Sequence, residues 1–428
     1  MYECYLTEHC RIRSRQVVSL TNSNMEVQEL KKNGQGLSRN FTMLVLNAGI
    51  SRGGTAAFSV MILWMALALT HSPVITGVAD GMAALPLFAS FLVGAFVDRS
   101  GRKKVLGAAA CLARPAIVGL MFIAVNLHSI ILIAALFFLA SFLLGFTSDV
   151  MNSVRSVWSK QFLDDATYKK GTSTLQAASA LAETAGYGIA GAFLVFGYDS
   201  ALFALSMIFV LAFAAVLPIK AERERKNDGN SIVTSVREGL HFIRGSKFIM
   251  EVMLVSLLAN FLFGTMGVGL TALIQRDFHL PASYFGALLF TLSIAVIIGS
   301  VLASKISGSV GRITTATLLV SGVFLVFVGI SRSVYYDFAF MAGIGILVGL
   351  INVAASTLML RKVPQELMAR VQGTMNTFGL GAIFFAGTIG GVIIALTSVR
   401  SMIYLVGAAV ALLGVVSLTF GELNRSRF

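Results

Sequence analysis

Charge is what this sequence has least of: Asp, Glu, Lys and Arg make up only 12% of its 428 residues, against 56% hydrophobic ones. With a mean hydropathy of +0.83, a globular chain would have too little polar surface to face water. An ordinary soluble fold is excluded, and the bilayer is the expected solvent. Cysteine is nearly absent. Cys4, Cys10 and Cys111 give no disulfide framework. Cys4, His9 and Cys10 are two thiols and an imidazole without the fourth ligand of a tetrahedral site, so no metal is expected. The phosphate loop G-x-x-x-x-G-K-[ST] is missing, and His71, His128, His241 and His279 form no H-E-x-x-H or Cys/His set. An ATP drive, an intramembrane enzyme and a cofactor are therefore all unexpected. The first 40 residues lack an apolar h-region, so no signal peptide is expected, and Met25 offers an alternative start that would make residues 1–24 an extension.

What the chain has in quantity is long apolar runs. A helix crossing about 30 Å of hydrocarbon needs roughly 20 such residues. Twelve candidate spans satisfy this, at 42–69, 73–97, 105–126, 129–151, 173–196, 200–219, 249–273, 283–304, 313–331, 337–360, 374–397 and 401–421, numbered 1 to 12 below. Spans 5 and 11 are the least apolar. A membrane β-barrel is excluded, because its strands alternate over about ten residues and these runs are continuously apolar for twice that.

The basic residues supply orientation. With both termini cytoplasmic, the tail before residue 41, the connections after the even-numbered spans and the C-terminal tail hold 28 of the 33 Lys and Arg. Arg276, Arg332 and Arg400 fall outside, and Arg52 and Arg114 within spans. This is the positive-inside pattern. It also accounts for a pI near 9.9 without a nucleic-acid patch, because the charge is spread over inner connections. The longest interior polar segment separates six spans from six. The expected organisation is a tail at 1–40, a six-helix bundle at 41–219, a linker at 220–248, a second bundle at 249–421 and a tail at 422–428. Equal halves point to a duplicated unit. Within the linker, Ile232, Val236, Leu240 and Phe242 recur at helical spacing and predict a short interfacial helix. The outer connections are only a few residues long, so recognition must occur inside the bundle, which favours a transporter over a receptor.

One connection concentrates the scarce charge. In "GAFVDRSGRKK", residues 94–104, Gly94, Asp98, Arg99, Gly101, Arg102 and Lys103 stand in the order G-x-x-x-D-R-x-G-R-K between spans 2 and 3. Glycine permits close approach or a tight turn, Asp can accept from orphan N–H groups at a helix start, and the cations can pair with acids or lipid phosphate. On this pattern, with twelve spans divided six and six, the chain resembles the major facilitator superfamily from about Arg39 to Phe420. Within it the chain is similar to the macrolide-efflux-like branch of drug exporters, on "LPLFASFLVGAFVDRSGRKKVL", "CLARP", "SVREGLHFIRG" and "VPQELMARVQGTMNTFGLGAIFFAGTIGGV". It departs from that pattern at three places. Only Gly311 and Arg312 keep the loop register in the second half, Cys111 stands where an Asp precedes the span 3 Arg, and Tyr187 replaces the Pro of the exporter span 5 motif beside Gly186 and Gly191. The resemblance implies that Asp98 caps the start of span 11 near Thr374 and that Arg102 pairs with Asp149. Together they would form either a latch on the outward-open state or a static loop staple.

Four ionisable residues fall inside spans, where they are costly and functional by default: Arg52, Asp80, Arg114 and Glu183. At about 1.5 Å per residue, Arg52 and Glu183 both lie about 15 Å deep, so an ion pair is geometrically possible. Gln176, Ser179, Glu183 and Tyr187 share one face of span 5, and Asn47, Ser51 and Thr55 form a similar stripe beside Arg52 on span 1. Such faces avoid lipid and are expected to border an aqueous cavity. Desolvation favours the neutral form of a midplane carboxyl and an adjacent guanidinium favours the charged one. Glu183 is therefore the candidate proton carrier and Arg52 its alternating partner, the alternative being a permanent buried salt bridge. Asp80, about 10 Å below the outer edge, is a second proton or cation site or a residue of the mouth. Arg114 is expected to be structural or to couple conformations, and Glu251 to sit at the interface. With 32 Phe in the chain, no aromatic residue is assigned to a pocket.

The expected protein is an all-α, twelve-helix transporter of the plasma membrane that exports amphiphilic or drug-like molecules in exchange for protons. Its partners are the bilayer, a small-molecule substrate and protons, without nucleic acid. Uptake of a metabolite or movement of a lysolipid in the same fold is the alternative, and a channel or sensor is the alternative from another class.

Overall fold

The structure is a computed structural model and describes residues 38–220, 243–305 and 308–426. The first 37 residues and the expected interfacial helix at 232–242 lie outside the described residues. All regular elements among those described are helices. Ten are long and apolar enough to cross a membrane, and the two remaining spans contain shorter apolar helices, Pro73–Phe88 and Gly381–Leu396.

Most spans open on a serine. Ser38, Ser72, Ser246 and Ser398 each accept a backbone N–H three residues on, a cap worth about 1 kcal/mol. Span 1 is Arg39–Thr70 and closes on His71 in the left-handed region, φ 52°. Span 2 is broken: Pro73–Ala84 passes through a 3-10 turn, Leu85–Ala89, into Ser90–Arg99. The break sits at Pro86, which lacks an N–H and crowds the carbonyl a turn earlier. Span 3 is Lys103–Val125, span 4 Ile130–Phe162, span 5 Asp165–Val195 and span 6 Tyr198–Val216. Span 4 continues well past the expected residue 151. Its extension carries Val154 and Trp158 on a buried face and polar residues elsewhere, so hydropathy ends there while the helix does not.

Span 7 is interrupted at Thr265, between Lys247–Gly264 and Met266–Ala272, and ends in a π-helical turn, Leu273–Asp277. Spans 8 to 12 are Ala282–Leu302, Val310–Ile330, Val334–Lys362, Gln365–Leu396 and Val399–Ser417. A short helix, Gly421–Arg425, follows. Outward-facing side chains such as Ile131, Phe203, Leu211, Val301 and Leu396 are apolar and exposed, a belt suited to lipid.

The packing repeats. Span 1 packs on 5, 2 on 4 and 3 on 6; span 7 packs on 11, 8 on 10 and 9 on 12 in the same relation. The halves then meet through span 2 on 11 and span 5 on 8. The end that carries Arg39, the 99–104 turn, Lys305 and Arg361 is called the basic end here. The inter-half contacts begin at the far end. Gly391 lies on Pro73, Gly77 on Gly387 and Gly81 on Phe384, and Arg276 donates to the His71 carbonyl at 2.6 Å. At the span 5–8 crossing a Cβ on Gly191 would stand 2.9 Å from Cα of Gly286, so only glycine admits the approach. Toward the middle, Phe88 packs edge-on against Phe384 and Phe385, at 6.3 and 6.4 Å between ring centroids. Two recesses open on the basic-end side of these contacts, one in each half.

Candidate functional site

The recess of the first half has about 340 Å³ of open space and is lined by spans 1, 4 and 5. Spans 1 and 5 approach unusually closely because their contact is built on Gly53 and Gly186: a Cβ on Gly53 would come 2.8 Å from the Ala182 carbonyl. That approach puts Arg52 opposite Glu183. Arg52 Nε donates to Glu183 Oε2 at 2.9 Å, and the Tyr187 hydroxyl donates to Oε1 at 3.2 Å. Both carboxylate oxygens are thus engaged. The pair is not sealed in, since the side chains remain 50% and 28% exposed.

The third wall comes from the extension of span 4. Asn152, Arg155, Ser156 and Ser159 line the recess beside Gln176 and Ser179 of span 5. Arg155 Nε and NH2 donate to Asn47 Oδ1 at 3.2 and 3.1 Å, and NH1 donates to Asn152 Oδ1 at 3.2 Å. Its partners are neutral amides, not carboxylates. Asn47 is buried and anchored by its own amide to the Ala212 carbonyl at 2.7 Å. Behind it Arg114, only 1% exposed, donates to Ser148 at 3.2 Å, while its Nε and NH1 are buried without a partner among the described residues. Its guanidinium carbon stands 5.6 Å from the Phe209 ring centroid.

The sequence-predicted residues therefore separate into groups. Arg52, Glu183 and Tyr187 are brought together, and Gln176 and Ser179 border the same recess. Asn47 and Ser51, expected on the cavity surface, are 0% and 1% exposed and stand behind it. Asp80 is apart, at the contact between halves, where a Cβ on Gly267 of span 7 would lie 3.3 Å from its Oδ2. Arg102 and Asp149 are not brought together. Arg102 is exposed at the start of span 3, and Asp149 is buried and accepts from Ser90 Oγ at 2.7 Å. Its second oxygen has no partner among the described residues. Arg99 and Gly101 are exposed, and Gly94 faces open space. Lys103 opens span 3, and Lys104 donates to the Leu217 carbonyl at 2.9 Å. The side chain of Asp98 lies outside the described set. Glu251, expected at the interface, is instead buried, with Oε2 accepting the Leu423 N–H at 2.8 Å.

Sequence reading missed three features. Arg155 and Asn152 belong to the site, although Arg155 had been counted as a connection charge. The signal was present, because Ser148, Asn152, Arg155, Ser156 and Ser159 recur at helical spacing. Asp337, in the first turn of span 10, is 0% exposed with both oxygens unpartnered among the described residues. The second-half recess, about 150 Å³, is lined by apolar residues including Val252, Phe263 and Ile351 with Asn260 and Asn352, and has no ionisable side chain among the described residues. Among the described residues no three His, Cys, Asp or Glu cluster to hold a metal ion.

Two halves of six helices in repeated packing, with a recess in each half between lipid-facing walls, are the architecture of a membrane transporter, and the comparisons with known proteins name its family. Residues 44–387 match the sequence model of the Major Facilitator Superfamily. The chain belongs to that superfamily and is a multi-pass membrane transporter, not a member of an enzyme family. A curated relative, the uncharacterized MFS-type transporter YkuC of Bacillus subtilis strain 168, is 24% identical over 365 residues, covering 80% of this chain and 82% of that protein. Among solved structures, the nucleoside transporter NupG superposes with a TM-score of 0.71 at 13% identity, covering 90% of this chain and 99% of that one. A bacterial homologue of the iron transporter ferroportin in an inward-facing state superposes at 0.69 and 15% identity, covering 90% and 99%. At these identities the likeness is one of fold.

Proposed function

We propose that this chain is a proton-coupled secondary transporter of amphiphilic small molecules in the plasma membrane, working by alternating access with Glu183 as the proton carrier and Arg52 as its partner. The basic end faces the cytoplasm, so the arrangement described is open inward. One observation carries the reading: an Arg–Glu pair bridges two spans at the wall of an open recess and stays partly exposed. A carboxylate held by one guanidinium and one phenol can lose the first when protonated, and the tie between spans 1 and 5 goes with it. The unpaired Arg102 and Asp149 fit a latch that closes only when the cytoplasmic side closes, which is the outward-open state. Resemblance to the macrolide-efflux-like branch supports export in exchange for protons. A second mode, co-transport with the proton, is favoured by the surplus of guanidinium groups on the recess wall and is developed below.

The test is proton movement in liposomes holding the purified chain and an interior pH dye, with a panel of lipophilic cations, macrolides and organic acids. Substrate-dependent proton flux that disappears in Glu183→Gln is expected. Flux that survives in the mutant would reduce the pair to a structural staple, and absence of flux with every compound would refute proton coupling.

A further inference from the structure

We propose that the first-half recess receives the anionic group of an organic acid, a carboxylate, phosphate or sulfonate, and that this anion and the proton favour each other's binding. The inference rests on the co-transport mode of the reading above and names the substrate class of the same site.

The charge on the wall is unbalanced. Arg52 and Arg155 line the recess, Arg114 lies behind it, and Glu183 is the one carboxylate among the described lining residues. Arg52 and Arg155 share the wall of one recess, and Cys111, which receives the Asn47 amide at 3.7 Å, stands beside the acceptor that Arg155 uses. Like charges gathered on one recess wall repel, and a guanidinium bound only to neutral amides has no carboxylate to offset its field. An amphiphilic cation entering here would meet net positive charge. An anion would meet compensation.

The donors are present as well. A guanidinium has five N–H groups. Arg155 uses three in its bonds to Asn47 and Asn152, so two remain for an anion. Both amides fix its plane, since Asn47 is itself tied to the Ala212 carbonyl, and a fixed planar fork is what bidentate recognition of a carboxylate or phosphate needs. The separate recess of the second half offers Val252, Phe263 and Ile351 as an apolar surface, with Asn260 and Asn352 among them.

The link to the proton follows from Arg52, which serves Glu183 through Nε. An anion approaching Arg52 competes with the Glu183 carboxylate and is repelled by it. Protonation removes both effects. By reciprocity, proton binding strengthens anion binding by the same factor as the anion strengthens proton binding. The groups that face Glu183 are Arg52 on span 1, Tyr187 on its own span and Arg155 on span 4, with Arg114 and Cys111 on span 3 behind. Span 8, packed on the other side of span 5, presents Ser293 and Phe290 there. The surrounding charge is positive, so an anion is held more tightly beside the protonated form of Glu183 than beside its carboxylate.

The experiment uses the full chain in nanodiscs with three probes that share an apolar body: 2-naphthoate, 2-naphthyl phosphate and 2-naphthylmethylammonium. Retention is measured by equilibrium dialysis at two pH values, with proton uptake followed by an indicator in weak buffer. The anions are expected to bind at least roughly ten-fold more tightly than the cation, more tightly at the lower pH, and with proton uptake. Arg155→Gln should weaken the anions by roughly ten-fold, the scale of one charge-assisted bond, and Arg155→Lys should recover part of this, which separates charge from misfolding. Glu183→Gln should keep anion binding and lose its pH dependence. Preference for the cation, equal retention in Arg155→Gln, or no retention of either anion at millimolar concentration overturns the proposal. Anion preference without proton uptake leaves the charge selectivity standing and sinks the role of Glu183, whereas Glu183-dependent proton flux driven by the cation alone does the reverse.

Discussion

Replacing Gly191 by alanine tests the claim that the far end must open. The added Cβ would stand 2.9 Å from both the Ala282 carbonyl oxygen and Cα of Gly286, and 3.2 Å from the Gly286 amide nitrogen. These are backbone atoms of span 8, so no side chain can swing away, and the two helices must separate. Overpacking of this kind costs about 1–3 kcal/mol. The helix-propensity gain of alanine applies in every state in which span 5 stays helical, so it cancels in the balance between states. If the crossing exists only while the far end is closed, the cost falls on that state alone and shifts the balance by roughly five- to 150-fold. The assay compares labelling by an impermeant maleimide at two single cysteines, with Cys4 and Cys10 removed. Ser156→Cys reports the recess. Ser293→Cys, whose serine bonds Thr184 at 2.6 Å, reports the crossing. Gly191→Ala should raise the ratio of crossing to recess labelling by that factor. Gly119→Ala, which would meet nothing within 4 Å, should leave it unchanged. An unaltered ratio in Gly191→Ala, with normal thermal unfolding, would mean that spans 5 and 8 stay crossed in both states.

Two further expectations concern stability. Glu251→Leu strands the buried Leu423 N–H that the carboxylate now receives at 2.8 Å. It should cost about 1–3 kcal/mol, seen as a lower melting temperature with faster amide exchange at Leu423, and unchanged exchange would refute the anchoring role. Arg400 joins Asp277 at 2.9 Å to the carbonyls of Gly329 and Ser331, tying spans 7, 9 and 12 at the far end. Arg400→Met should cost about 2 kcal/mol or more in thermal unfolding, and Arg400→Lys should recover less than half, because a point charge cannot serve the three acceptors of a planar fork.

The spans were legible because lipid imposes a simple rule, continuous apolarity over a fixed length, and the sequence obeys it. Breaks inside spans were less visible. Pro86 marks the 3-10 turn of span 2, yet Pro115 sits inside an uninterrupted span 3, so proline alone does not separate the two outcomes. The Arg52–Glu183 pair was readable from equal depth and from stripes of polar residues. Arg155 was lost because hydropathy assigns the residue to a connection once apolar residues thin out, while Val154 and Trp158 continue to hold the helix by burial. Asn47 was read as a surface residue because it shares a stripe with Ser51 and Arg52. The structure instead spends its amide on Ala212 and Arg155, a tertiary arrangement that one-helix periodicity does not encode.

The two halves repeat one packing scheme, but their chemistry is divided. Among the described residues, the first-half recess carries all the ionisable lining side chains and that of the second half carries none. In the proposed cycle this division has a mechanical consequence, because span 5 belongs to both parts of the machine. It holds Glu183 against Arg52. About 12 Å further along its axis, Gly191 crosses span 8 of the other half. Between them Gly186 seats the helix on Gly53 of span 1. A change in the Arg52–Glu183 tie therefore acts on the same rigid helix whose far portion closes the opposite end, and no chain of intermediate residues is needed to carry the effect. Coupling of this kind requires an element with two discrete arrangements that both sites bias. Span 5 is placed to be that element: loosening it from span 1 by protonation and separating it from span 8 are displacements of one helix.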